Sequence, residues 1–373
     1  MKHYRVGGST YGRLLQCRGS INQRDALEGT KQESIFMAQG TAMHKVLEFC
    51  VVHNDMPRDY LGHVVHGVEI TQEMVDKVTR ALDDWAYLQS VYDTVHEASE
   101  VEGLFAADAG GTCDLMAWSD ETLVLADFKS GDGHVVDVTD NPQLMFYAAS
   151  LMRNSDYVHL FDDVERIVLA ILQPIERLDE SYSVQVIAKA DLVKFEKQAE
   201  IVIQESYDPD APLNMGPECG FCPAQVFCPA KTGAAHDALL LDPDHLEDLT
   251  EALDLVGYLK DWIKAVESTA LTQMEYGAQV EGYKLVNKRA TRRWKDPEAA
   301  LQYFRRRLGG KANLMSPEKL KTPLQVQKLA KALGKDYDFA PFIETSSSGY
   351  NIATVDDPRE EAVSLAALKL IQH

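Results

Sequence analysis

The sequence predicts an α/β core, a mixed β-sheet flanked by helices, followed by a smaller C-terminal α+β region. Hydrophobic periodicity changes from helical to strand-like and back along the first 240 residues. One strand-like run, "LVLADF", stays apolar for four residues before it meets an acid, as a strand buried on both faces does. At 373 residues the chain exceeds a typical single domain, so a core over 1–240 and a second region over 241–373 are expected.

After a short segment around Arg13 and Cys17, residues 32–52 and 71–90 show helical spacing. In the second of these, Met74, Val78, Leu82, Trp85 and Leu88 form one stripe. Three strand-like runs follow, "TVHEASEVEGLF", "GTCDLMAW" and "TLVLADFK", the last two joined by "SDE" as a tight turn. Pro142 suits the first turn of a helix beginning near Asn141. "RIVLAILQP" and "SYSVQVIA" read as two more strands, and 191–207 as a helix. Beyond the cysteine-rich "CGFCPAQVFC", residues 245–277 read as one long amphipathic helix with Leu249, Leu253, Val256 and Leu259 on one face. The remainder reads as α+β and ends in a surface helix.

No run of about 18 apolar residues occurs, so no transmembrane helix is expected. The opening lacks the apolar core of a signal peptide, and a cytoplasmic location is expected. Six cysteines are too few for a disulfide scaffold; clustered in a reducing compartment, they point to metal. The net charge of −21 argues against nucleic acid until its distribution is considered. From Lys284 to Lys335, 15 basic residues face only Asp296, Glu298 and Glu318, which makes this segment +12 and the rest of the chain −33. Arg289, Arg292, Arg293, Arg305, Arg306 and Arg307 are therefore candidate phosphate contacts, the alternative being a solvated basic face paired with the acidic remainder. Trp294, Tyr303 and Phe304 lie among them and could stack on bases, although packing is the expected role for most.

The chemistry-bearing residues fall in the core. Asp127 and Lys129, two apart at the end of a buried strand, leave it on one face. A fold-stabilising ion pair is the plainer reading of that tripeptide alone. Asp114 on the neighbouring strand supplies a second carboxylate, and two carboxylates with a lysine can hold a hard divalent cation and activate water. His44 and Glu48 share a helical face at i, i+4, as do Gln143 and Tyr147. Each pair has a packing explanation by itself. The order Gly-x-x-x-His, Gly-x-x-Asp, Asp-x-Lys, Gln-x-x-x-Tyr is far more specific than any member.

That ordered set resembles the RecB-like branch of the PD-(D/E)XK nucleases over about residues 10–230, and "GTCD…ADFKSG…NPQLMFYA" looks like its three central motifs. The resemblance implies a restriction-endonuclease-like core. It implies Mg²⁺ or Mn²⁺ held by His44, Asp114, Asp127 and the backbone carbonyl of Phe128, with Lys129 catalytic and Gln143 and Tyr147 shaping the site. Glu48 and Glu102 are weaker candidates, for a supporting role or a second metal. The first position of the family's name motif is not Pro-Asp here. The implied activity is a DNA exonuclease acting on ends in recombination, repair or phage DNA metabolism, with a helicase or recombination protein as partner. The alternative is a catalytically silent iron–sulfur DNA-binding or scaffold subunit; a redox enzyme using the cluster leaves Asp127 and Lys129 unexplained.

A subset of these nucleases, including AddB and CRISPR-associated relatives, carries a [4Fe–4S] cluster on one cysteine ahead of the core and three after it, spaced Cys-x2-Cys-x5-Cys. Cys219, Cys222 and Cys228 match that spacing, and Cys17 precedes the core. Structural zinc is the rival occupant of four cysteines. Cys50 and Cys113 read as ordinary buried thiols. The region beyond 240, with "GYKLV", is similar to phage-encoded proteins of this type.

Overall fold

The computed structural model describes residues 4–25, 35–131, 133–164, 166–175, 181–241, 245–288, 291–308, 314–316, 319–346 and 349–362. It divides into two compact units, Met1–Leu259 and Lys260–His373.

The first unit is a mixed α/β structure built on one six-stranded sheet. Its strands are β1 (Val6–Gly7), β2 (His96–Ala106), β3 (Ala109–Trp118), β4 (Thr122–Phe128), β5 (Arg166–Leu172) and β6 (Tyr182–Ile187). The order is β1-β3-β4-β5-β6, with β2 also paired to β3. β1 runs parallel to β3 and β4 parallel to β5; the other pairs are antiparallel. β2 lines one edge of β3 along its whole length. On the other edge β1 pairs at Ala109 and Gly110, and β4 at Leu115 to Trp118. The strand therefore forks, and Asp114 sits at the fork.

Every residue of β4 is buried because helices cover both faces. On one face, α2 (Ile35–His53) and α3 (Gln72–Val91) pack Val46, Leu47, Val78 and Trp85 onto Val124, Ala126 and Phe128. On the other, α1 (Gly8–Gln16), α4 (Pro142–Leu151) and α5 (Lys189–Ser206) pack Tyr11, Phe146 and Leu192 in one cluster with Leu123 and Leu125. Each such large apolar side chain contributes roughly 1.5–3 kcal/mol by leaving water. Thr71 caps α3 by accepting from the Met74 amide at 3.4 Å, and Asn141 caps α4 by accepting from Gln143 and Leu144.

The predicted strands and helices of this core are present with ends moved by a few residues. Helix α1 and strand β1 were not expected. A two-residue strand has no periodicity to read, and two glycines in "GSTYGRLLQ" mask the helix. The helix buries Tyr11 and Leu14, so packing outweighs weak propensity there.

Two further helices, α6 (Pro229–Ala238) and α7 (Leu246–Glu275), follow the cysteine segment, and α7 runs across the division between the units. In the second unit β7 (Tyr283–Asn287) pairs with β10 (Tyr350–Thr354), and β8 (Thr291–Trp294) with β9 (Ile343–Ser346). Helices α8 (Pro297–Leu308) and α9 (Pro323–Ala332) bring Phe304, Val326 and Ala330 into a core with Phe339. Trp294 and Tyr303 pack against that core, and the Trp294 indole donates to the Lys321 carbonyl at 2.9 Å. These aromatics are packing residues. The surface helix expected at the chain end, over 363–373, lies outside the described residues.

Candidate functional site

Two arrangements of polar side chains meet at the fork of the sheet. The first is a possible metal-holding group, His44 from α2, Glu100 from β2 and Asp114 from β3, whose ligand atoms all lie within 4.8 Å of one another. His44 Nδ1 is 3.2 Å from Asp114 Oδ1. The other carboxylate oxygen of Asp114 accepts from the Phe128 amide at 2.7 Å, which fixes the side chain against the end of β4. The Phe128 ring lies 5.1 Å from the imidazole and supports it from the sheet.

The second arrangement is a closed network. Lys129 Nζ stands 2.8 Å from Asp127 Oδ2 and donates to Gln143 Oε1 at 2.9 Å. The Gln143 amide nitrogen donates to Asp127 Oδ1 at 2.8 Å and to the Tyr147 hydroxyl at 2.8 Å. The i, i+4 spacing on α4 puts Gln143 and Tyr147 on one face, as the sequence predicts. Tyr147 lies where Gly111 has no side chain: a Cβ there would stand 2.5 Å from the ring.

Electrostatics couples the two sets. Burial disfavours the His44 imidazolium, but the Asp114 carboxylate outweighs it and raises the pKa to about 9. Burial, reinforced by Asp114, pushes Glu100 up to about 7. Asp114 itself is held below the usual range: His44, with help from the Phe128 amide, overcomes its burial. Burial raises Asp127 despite its lysine, and Lys129 is raised because Asp127 outweighs the cost of its own burial.

Asp127, expected among the metal ligands, accepts from Gln143 at Oδ1 and is ion-paired with Lys129 at Oδ2, which has no hydrogen-bond partner among the described residues; Glu100 stands in the group with His44 and Asp114. Glu100 was missed. The β2–β3 pairing matches Ser99 to Leu115 and Val101 to Cys113, so Glu100 falls opposite Asp114. Counted from the turn, Ala106 pairs with Ala109, which would put Val101 there; an irregularity between Leu104 and Ala106 shifts the register by one. Glu48 is held by Lys45 at 2.6 Å. The Glu102 carbonyl accepts from the Asn154 amide group at 2.7 Å, and Glu102 is not in the group.

At the other end of α1, Cys17, Cys219, Cys222 and Cys228 line one small cavity, all as free thiols. Gly19 makes the approach possible, because a Cβ there would strike the Ala211 carbonyl and Leu213. The Asn214 amide donates to Cys17 Sγ at 3.4 Å and the Gln16 side chain to Cys219 Sγ at 3.7 Å. Burial pushes the Cys17 and Cys222 thiols up. Cys50 and Cys113 are buried elsewhere, in the two helix–sheet cores.

In the second unit Arg292, Arg293, Arg305, Arg306 and Arg307 are exposed. Arg292 donates to Gln327 at 3.1 Å, and Arg307 lies 3.7 Å over the Tyr303 ring. Arg289 lies outside the described residues. Among the described residues no helix is long and apolar enough to cross a membrane.

Two solved structures resemble the chain distantly. One, described as a crystal structure of SSO0001, is 14% identical over 57% of this chain and 95% of its own, with a TM-score of 0.24. The other, a candidate exonuclease from Eubacterium rectale, is 11% identical over 59% of this chain and 86% of its own, with a TM-score of 0.34. At these TM-scores neither likeness carries an inference about activity. A family model described as "Protein of unknown function (DUF2800)" matches residues 3–360, nearly the whole chain, and the protein belongs to that family.

Proposed function

We propose that the first unit is a divalent-metal-dependent deoxyribonuclease with a restriction-endonuclease-like core, acting on DNA ends. One observation carries the reading: the His44–Glu100–Asp114 group adjoins the Asp127–Lys129–Gln143–Tyr147 network at one fork of the sheet. Two carboxylates, Glu100 and Asp114, converge on the single cation His44, a charge balance that a divalent ion would complete.

A Mg²⁺ or Mn²⁺ ion held by His44, Glu100 and Asp114, with Asp127 and the Phe128 carbonyl beside them, would supply Lewis-acid stabilisation to a phosphoryl oxygen. The ammonium of Lys129 offers a fixed positive charge to the phosphate as negative charge builds on it. Asp127 and Gln143 keep that ammonium in place, and Tyr147 orients Gln143. The exposed arginines of the second unit supply backbone contacts that any DNA sequence satisfies. The four thiols lining one cavity at the end of α1 would hold a [4Fe–4S] cluster, or zinc in its place, as a staple remote in role from hydrolysis.

The test uses purified protein, end-labelled linear and closed circular DNA, and Mn²⁺ or Mg²⁺. Lys129→Ala and Asp114→Asn should each lower kcat by about 100-fold or more, and circular DNA should resist. Undiminished cleavage by both variants would sink the assignment. Brown protein with broad visible absorption under anaerobic conditions indicates iron–sulfur, and colourless zinc-loaded protein rejects it.

A further inference from the structure

The cavity of the four cysteines holds two cations that its hydrogen bonding does not explain. Arg13 is 7% exposed and Lys231 3% exposed, and both line the cavity with Cys17, Cys219, Cys222 and Cys228. Arg13 donates weakly to the Ser20 hydroxyl at 3.3 Å and the Phe221 carbonyl at 3.4 Å, while its Nη2 has no hydrogen-bond partner among the described residues. The buried Nζ of Lys231 has none among the described residues either. Among the described residues no Asp or Glu lines the cavity, although the Glu218 carboxylate acts weakly on Arg13 from outside it.

A buried cation without a full counter-charge costs several kcal/mol, and here two such cations lie together. Among the described residues, the groups lining the cavity that can become anionic are the thiols. Four thiolates on a metal centre of charge +2, whether Zn²⁺ or an oxidised [4Fe–4S] core, leave two negative charges in excess, and Arg13 and Lys231 bring two positive ones. The sequence positions agree: Arg13 lies one helical turn before Cys17, and Lys231 lies in the first turn of α6, whose N-cap is Cys228. We propose that Arg13 and Lys231 are the resident counter-charges of a tetrathiolate metal centre, positioning residues that set its retention and, with iron, its potential. This rests on the cysteine-site reading above.

The experiment uses the full chain purified anaerobically, with iron and zinc quantified per chain. Variants are Arg13→Met, Lys231→Met and the charge-keeping Arg13→Lys and Lys231→Arg. Metal release to a chelator should accelerate about tenfold or more in each Met variant and return toward the parent rate in the charge-keeping ones. With iron bound, the Met variants should also show a lower midpoint potential, because the reduced cluster carries one more negative charge. With zinc bound, the release rate alone reads the effect. Metal-loaded Met variants with unchanged release and potential overturn the proposal while leaving the cysteine site standing. Should Lys231→Met neither fold nor load, Lys231→Arg decides: equal failure shows that shape, not charge, is required. A parent protein with no metal on its cysteines removes both readings together.

Discussion

Glu100 is a non-glycine residue held at φ 52°, in the left-handed region. That conformation costs roughly 1–2 kcal/mol, and strain of this kind persists where surrounding structure enforces it. What it gains is a carboxylate facing Asp114 and His44. Glu100→Gln should therefore weaken Mn²⁺ binding by about tenfold or more, measured by calorimetry, while leaving the sheet intact by circular dichroism. The pH dependence follows from the same three groups. With no cation present, His44 keeps its proton up to about 9 and Glu100 up to about 7. Both protons must leave before these atoms can bind a cation, so uptake releases protons and affinity rises as pH climbs through about 7 toward 9. Titrations in buffers of different ionisation enthalpy read that release directly. An affinity that stays flat across this window would contradict the ligand set.

At the level of elements, the geometry depends on what is missing from β3. Gly111 leaves room for the Tyr147 ring, which in turn holds Gln143 and, through it, Lys129 and Asp127. Gly111→Ala should destabilise the unit by about 1–3 kcal/mol through overpacking, read as a lower urea midpoint, and Tyr147→Leu in the same chain should recover part of the loss. Much of this arrangement was legible beforehand. The apolar run before Asp127 announces a strand covered on both faces, and the helical spacing of Gln143 and Tyr147 sets them side by side. Glu100 was not legible, because a one-residue irregularity in β2 changes which side chain faces Asp114. Nor was β1, whose two residues gain their place from pairing with Ala109 and Gly110 and not from any pattern of their own.

For the whole molecule, charge is segregated along the chain. Arg305, Arg306 and Arg307 close α8, where they also complement the helix C-terminus. Replacing all three with alanine should weaken DNA binding and make log K less steep in log salt by about 2 to 3, measured by fluorescence anisotropy over a salt series. An unchanged slope would show that this face only balances the acidic remainder. Cys17 joins the cavity from the far end of the sequence, so a metal there closes a loop that contains every residue of the candidate site. Loops of this size are worth up to about 5 kcal/mol in the chain-entropy limit. Cys17→Ser should forfeit a few kcal/mol of that, seen as a lower urea midpoint for the metal-loaded protein and little change for the metal-free one.

The spread of those cysteines also fixes an order of events during synthesis. At roughly 5–20 residues per second, Cys17 leaves the ribosome at least about ten seconds before Cys228. Five of the six strands of the sheet, β2 to β6, emerge in that interval, and β1 precedes Cys17. The thiol cavity thus waits on a segment that follows the whole sheet. If the cysteines take up the proposed metal, its delivery would be a maturation step on a largely built fold, and chains made without it would have the sheet built and the cysteine seam open.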